Sequence, residues 1–377
     1  MRWDLFCRVV DNFGDIGVCW RLARQLVHEH GRWVRLMVDD WASLRRIVPG
    51  CPTVARACLC DGVEIVPWDE AGAAQADAGC VIEAFACVLP SAYLNAMRAR
   101  AAPPVWLNLE YLSAEAWIED CHGLPSPDPL SGLDKTFFFP GFTPRSGGLI
   151  RERAVFERRD AVQGIDGRAL WLARHATPGA SAASRWVSLF CYANAALPSL
   201  ITAWADSAVP LVVWVPAGIA LDAVSGVLGG EPLTVACCRQ YGALTVRALP
   251  FLSSRDYDAL LALCDVNFVR GEDSFVRAQW AAQAFVWHVY PQSDDVHLRK
   301  MTAFLDRYCE RLADADALAM RALWQAWNTG GQAHAGWAAY ASRTDALGRH
   351  ARRWCDQLAG QEDLATRLVK FVDNAVK

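Results

Sequence analysis

The sequence predicts an α/β protein made of two doubly wound, Rossmann-like domains facing a central cleft. Three observations lead there. Short apolar runs alternate with helix-period segments, the mark of strands in a mostly parallel sheet. The alternation runs through the chain twice, on either side of a charged, alanine-rich stretch from about Arg151 to Arg185. The length, 377 residues, also exceeds what one hydrophobic core normally organises. The expected division is 1–155 as a first domain, 156–184 as the connection and 185–359 as a second domain, with a helix over about 360–377 packing back on the first.

The first strand is expected from Trp3 to Val10 and the first helix from Val18 to His30. In that helix Cys19, Leu22, Ala23, Leu26 and Val27 fall at i, i+3, i+4, i+7 and i+8 and line one face. Between them lies Asp11-Asn12-Phe13-Gly14-Asp15-Ile16-Gly17, a turn at the carboxyl end of a strand, where such folds hold ligands. Gly14 and Gly17 let the backbone bend sharply or take a positive φ, leaving Asp11 and Asp15 at the mouth of a cleft. A dinucleotide fingerprint needs three glycines and bare N–H groups facing a pyrophosphate. Two glycines and two acids suit a cationic substrate, a metal or proton removal better. A local role stays equally open, with Asp15 capping the helix and Asp11 closing an Asx turn.

Trp33 to Val38 reads as the second strand, ending at Asp39 and Asp40, acids that would contact a ribose in a dinucleotide-binding fold. Val63 to Val66, Cys80 to Phe85 and Pro104 to Glu110 read as further strands, with a helix from Pro90 to about Arg100. From Glu110 to Pro144 proline, glycine and aromatics are dense, as in Phe137-Phe138-Phe139-Pro140-Gly141-Phe142, which predicts ordered, functional loops. His122 in that region reads as structural ahead of a donor or base.

In the second half, strands are expected at Trp186–Cys191, Leu211–Val215, Leu233–Cys237, Thr245–Leu249, Val266–Val269 and Phe285–Val289. Helices are expected at Pro198–Ala205, Ile219–Leu228, Arg255–Cys264 and Phe275–Ala284, and beyond about Asp295. Arg270-Gly271-Glu272-Asp273-Ser274 joins a strand to a helix. Ser274 or Asp273 can cap that helix, and its free N–H groups with Arg270 would attract a phosphate. Acids at a helix start are also commonplace. Phe190, Tyr192 and Phe251 stand at strand ends, where an aromatic face can hold a base, and Tyr290 could donate to a diphosphate oxygen. His288 and His297 read as structural.

A formal net charge of −4 gives no general footprint for nucleic acid. The basic run from Arg145 to Arg159 is a modest candidate surface for an acidic partner. Charged residues interrupt the amino terminus, so no secretory signal is expected. The most apolar stretch, Ala208 to Ala220, is short and carries Pro210 and Pro216, so no membrane span is expected. Fourteen cysteines then read as reduced, mostly buried thiols of a cytoplasmic protein. Cys51, Cys58 and Cys60 lack paired CxxC spacing, and no metal site is expected there. Serine-hydrolase, zincin and P-loop motifs are missing.

Several stretches together resemble the bacterial protein-arginine rhamnosyltransferases that modify elongation factor P. They are Phe6 to Gln25, Asn108 to Pro127, Phe137 to Phe142, Val187 to Tyr192, Asn267 to Trp280 and Phe285 to Gln292. Family members commonly carry glutamine near Ser254 and Gly-Lys-Pro where this chain has Ala282-Gln283-Ala284. The resemblance implies an inverting enzyme of the GT-B type, with an acceptor-binding first domain and a nucleotide-sugar-binding second one. It would move L-rhamnose from dTDP-β-L-rhamnose to an arginine of elongation factor P, helping translation of polyproline stretches, with no cofactor and no metal. It places the catalytic acids on Asp11, Asp15 and Glu272, and donor binding on Phe190, Tyr192, Phe251, Arg270, Asp273, Ser274 and Tyr290. The alternatives are a non-catalytic nucleotide-sugar-binding protein and a small-molecule glycosyltransferase. A glycosylation product would separate them.

Overall fold

The computed structural model describes residues 1–11, 13–71, 76–129, 131–164, 166–175 and 184–376. Asn12 of the acidic turn, and 176–183 of the expected connection, lie outside the described residues. The chain divides into two compact units, Met1–Arg153 with Ala359–Lys377, and Ala154–Leu358.

The first unit opens with β1 (Arg2–Cys7), α1 (Gly14–His30), β2 (Trp33–Val38), α2 (Trp41–Ile47), β3 (Cys58–Cys60), β4 (Val63–Pro67) and α3 (Trp68–Ala71). It continues through β5 (Cys80–Ala84), α4 (Ser91–Arg98), β6 (Val105–Leu109), α5 (Trp117–Cys121), β7 (Pro125–Pro127) and β8 (Asp134–Phe138). The sheet order is β3-β4-β2-β1-β5-β6-β8-β7. The strands from β4 to β8 run parallel, while β3 and β7 close the edges antiparallel. Strands buried on both faces are mostly apolar: β5 reads Cys-Val-Ile-Glu-Ala and is buried at every position, its Glu83 paired with Lys135 of β8. One polar exception is Asp4 in β1, which is fully buried. It accepts from Arg35 Nε of the neighbouring strand at 2.7 Å and from the Tyr93 hydroxyl at 2.5 Å.

The loop expected from Glu110 to Pro144 instead holds α5, β7 and β8. Strand β8 was hidden because the glycines and prolines around it flank a run of only five residues.

The second unit runs α6 (Val155–Gln163), α7 (Gly167–Arg174), β9 (Arg185–Leu189), α8 (Leu197–Ala205), β10 (Leu211–Pro216), α9 (Ile219–Leu228), β11 (Cys238–Tyr241), β12 (Leu244–Leu249) and α10 (Ser254–Leu263). Then come β13 (Val266–Arg270), α11 (Asp273–Ala281), β14 (Ala284–His288), α12 (Val296–Cys309), α13 (Asp314–Asn328), α14 (Ala333–Ala341) and α15 (Thr344–Ala359). The last helix, α16 (Leu364–Ala375), belongs to the first unit. The second sheet has the order β11-β12-β10-β9-β13-β14, parallel except for β11. The strand expected at Leu233–Cys237 is not formed. Ala236 takes a φ of 68 there, and the strand begins at Cys238 and returns through Gly242, φ 59, into β12. Residues 156–175, in the stretch expected to connect the domains, carry α6 and α7.

The carboxyl-terminal helices hold β14 in place. Asn328 in α13 donates to the Trp287 carbonyl at 2.8 Å, and its side-chain oxygen accepts from Val289 N at 2.9 Å. Trp324 and Tyr340 both donate to the Phe285 carbonyl. In the first unit α16 is capped by Asp363, which accepts from Thr366 N at 3.1 Å. The same carboxylate accepts from Gln25 in α1.

Candidate active site

In the first unit the strand order reverses between β1 and β5, the switch point where open α/β sheets leave a crevice at the carboxyl ends. The acidic turn leaves β1 at that point. Asp15 is 2% exposed and sits in the first turn of α1, where the helix dipole favours an acid. Its Oδ2 reaches back to accept from Val10 N at 2.7 Å and Asp11 N at 2.9 Å. The Tyr111 hydroxyl donates to it as well. Burial outweighs these bonds and raises its carboxyl above the ordinary value of 3.8.

Asp15 is not the cap of α1, whose N-cap, Phe13, makes no side-chain cap bond. Asp11 closes its turn through the main chain, its carbonyl accepting from Gly14 N at 2.5 Å. The two glycines also work differently from expectation. Both lie inside α1, and neither takes a positive φ. Gly14 is required for space: a Cβ there would stand 2.5 Å from Asp11 Oδ2.

Tyr111 is the site residue that sequence reasoning passed over. Its ring stacks on Phe85 with centroids 4.4 Å apart, and Phe85 and Ala86 take left-handed φ values of 58 and 54. Such strain in non-glycine residues concentrates at functional sites, but it is invisible in a run of apolar letters. The acids at the end of β2 are not ribose ligands in shape. Asp39 accepts from Val9 N at 2.9 Å, and Asp40 caps α2 by accepting from Ser43 N at 3.0 Å.

In the second unit the switch point lies between β9 and β13. Phe190 and Tyr192 follow β9, and Arg270 ends β13. The Arg270 guanidinium carbon lies 4.4 Å from the Phe190 ring centre and 4.7 Å from that of Tyr192, so a planar cation is held against two aromatic faces. Tyr192 makes edge contacts with His288 and with Tyr290. Gly271, φ 60, turns the chain toward α11, and its carbonyl accepts from Trp287 Nε1 at 2.7 Å.

The capping expectation is corrected here. Glu272, partly exposed, is the N-cap of α11 and makes no side-chain cap bond. Ser274 accepts from Arg270 N at 2.9 Å and donates to the Arg270 carbonyl, locking the turn. The Asp273 carboxylate is engaged by Arg277 at 2.7 Å, and Arg277 also grips Asp258 at 2.7 Å. Phe251 and Tyr290 are the open members, 43% and 37% exposed.

His122 Nδ1 accepts from Phe139 N at 3.0 Å, and burial lowers its pKa to about 4. Burial, with Arg270 and His297 nearby, lowers His288 to about 3. The run from Arg145 to Arg159 crosses from the first unit to the second after Arg153. Arg145 pairs with Glu119 and Asp120, and Arg159 with Asp160. No helix of the described residues is long and apolar enough to cross a membrane.

Comparison with known proteins follows the same lines. Residues 3–373 match the family model for elongation-factor P (EF-P) rhamnosyltransferase EarP. The protein-arginine rhamnosyltransferase of Pseudomonas putida KT2440 is 49% identical over 99% of both chains. A solved structure described as the structural basis for EarP-mediated arginine glycosylation of translation elongation factor EF-P is 36% identical over 99% of both chains, with a TM-score of 0.71. At the level of fold alone, MurG of Acinetobacter baumannii covers 99% of both chains at 14% identity and a TM-score of 0.52. With a family model spanning nearly its full length and a half-identical relative of one function, the chain belongs to the EarP family and is a GT-B enzyme that rhamnosylates protein arginine.

Proposed function

We propose that the chain transfers L-rhamnose from dTDP-β-L-rhamnose to an arginine side chain of elongation factor P, inverting the anomeric centre. The observation that carries this reading is the buried Asp15, held by two backbone amides beside Asp11 at the first unit's switch point. The names of the family model and the solved relative support elongation factor P as the acceptor.

A guanidinium is a poor nucleophile, because its proton leaves only above about pH 12 and its lone pairs are delocalised. It becomes one when carboxylates bind the cation, fix its plane and accept a proton as the bond forms. Asp15 is the base in this reading: a carboxylate disfavoured by burial accepts a proton more readily. Asp11 orients the guanidinium, and Glu272 positions the reacting groups from the donor side. A guanidinium nitrogen attacks C1 of the sugar, the C1–oxygen bond breaks, dTDP leaves with the electron pair, and the displaced N–H proton passes to Asp15. One displacement turns a β-linked donor into an α-linked product.

The leaving diphosphate is neutralised by Arg270, by Tyr290 and by the positive end of the α11 dipole, where Asp273 and Ser274 contribute main chain. Phe190, Tyr192 and Phe251 offer aromatic faces to the thymine. This chemistry calls for no cofactor or metal, and it fits a cytoplasmic enzyme acting on a translation factor, aiding synthesis of polyproline stretches. The test is mass spectrometry of purified elongation factor P after incubation with enzyme and donor, with the product's anomeric configuration read by NMR. A gain of one deoxyhexose on a single arginine, α-linked, is expected. An unchanged mass overturns the acceptor assignment, and a β-linked product overturns inversion.

A further inference from the structure

Three thiols converge at the edge of the first unit's sheet, away from the residues discussed so far. Cys58 and Cys60 lie two apart on β3, so their side chains leave the same face of the strand. The antiparallel pairing with β4 sets Cys58 opposite Ile65 and Cys60 opposite Val63, both of which are buried. Cys51 comes from the loop after α2, its N–H donating to the Val48 carbonyl at 3.1 Å. The Cys60 sulfur is 3.6 Å from that of Cys51 and 3.9 Å from that of Cys58. All three sulfurs lie within 4.8 Å of one another.

Those distances match a coordination polyhedron. Zinc lies about 2.3 Å from a thiolate, and tetrahedral angles then set neighbouring sulfurs about 3.8 Å apart. The two measured edges fall on either side of that value. Among the described residues no fourth histidine, cysteine, aspartate or glutamate joins the group. Cys51 is buried while Cys58 and Cys60 are partly exposed, so the trio is anchored on one side and open to solvent on the other.

We propose that Cys51, Cys58 and Cys60 form a binding site for a thiophilic divalent metal ion of the Zn²⁺ type, with three protein sulfurs and a fourth position taken by solvent. Such an ion would tie the loop carrying Cys51 to the β3–β4 hairpin and clamp residues 52–57, which have no regular structure. Each S–H that becomes a sulfur–metal bond releases one proton, and no oxidation state changes. In the sheet, β4 and β2 separate this edge from β1, which makes the site a clamp on the fold, independent of the transfer reaction.

Titration of the reduced full chain with Co²⁺ tests this, because cobalt–thiolate bonds give an intense charge-transfer absorption. One equivalent is expected to develop the band, Zn²⁺ to displace it, Cys60→Ser to lose it and the control Cys237→Ser to keep it. No band, or a band unchanged in Cys60→Ser, overturns the site. Should Cys60→Ser fail to fold, alkylation mapping of the unaltered chain decides. One equivalent of Zn²⁺ must protect Cys51, Cys58 and Cys60 while other cysteines label as before; equal labelling with and without Zn²⁺ overturns the proposal.

Discussion

At the scale of single residues, Asp15 serves two ends with one carboxylate. It holds the loop by accepting two backbone amides, and in the proposed reaction burial, which raises its carboxyl, favours its taking the proton. Asp15→Asn is expected to lower kcat/KM by about 10²–10⁴, the usual worth of a general base, while leaving dTDP affinity unchanged by isothermal titration. An equal loss in both would mean that the residue acts through the donor. Because the carboxyl must be ionised to act and burial raises it, activity should fall as pH drops through a limb above 3.8. A limb at or below that value would contradict the assignment. Arg270→Lys keeps the charge but loses the planar stack on Phe190 and Tyr192. A loss of about 1–2 kcal/mol in dTDP binding is expected, against no change if the stack is incidental. The two aspartates and Arg270 were legible as charges at strand–helix turns, with a local role left equally open for the aspartates until the family resemblance weighed in. Tyr111 was not, because its role depends on a ring stack onto a strained Phe85, and nothing in the letters records a φ of 58.

At the scale of elements, two turns make opposite demands on their residues. Gly14 sits in a helix, where alanine would normally gain about 1 kcal/mol, yet a Cβ would press on the Asp11 carboxylate. Gly14→Ala should therefore cut activity while the thermal midpoint stays level or rises, a pairing that calorimetry and an activity assay can separate. The opposite case closes α11. Ala282 takes the left-handed conformation, φ 56 and ψ 36, which glycine adopts without strain. Ala282→Gly should stabilise the second unit by about 0.5–1 kcal/mol, seen as a midpoint raised by about 1–4 °C; a lowered midpoint would contradict this. Helix α9 and strand β2 were read to the residue because strong periodicity is bounded by glycine or charge. Strands β8 and β11 escaped because one is short among prolines and the other begins after a left-handed alanine.

At the scale of the molecule, two doubly wound sheets were legible from repeated alternation, with Asp11 and Asp15 leaving β1 at the first switch point and Phe190, Tyr192 and Arg270 meeting at the second. The path of the chain was harder to read, because α6 and α7 occupy what looks like a linker in composition. The first unit is completed by α16, whose Leu364, Ala365, Leu368, Val369 and Val372 are buried in its core. Leu368→Ala should cost about 2–5 kcal/mol and lower the unfolding transition of the first unit alone; coincident loss of both transitions would contradict that locality. This discontinuity has a consequence for synthesis on the ribosome. The second unit is contiguous and can settle as soon as it emerges. The first, though translated earlier, must wait with an apolar seam uncovered until the whole of the second has been made. Its core, with the acidic turn that opens α1, closes only after that helix arrives, so the order of maturation runs opposite to the order of translation.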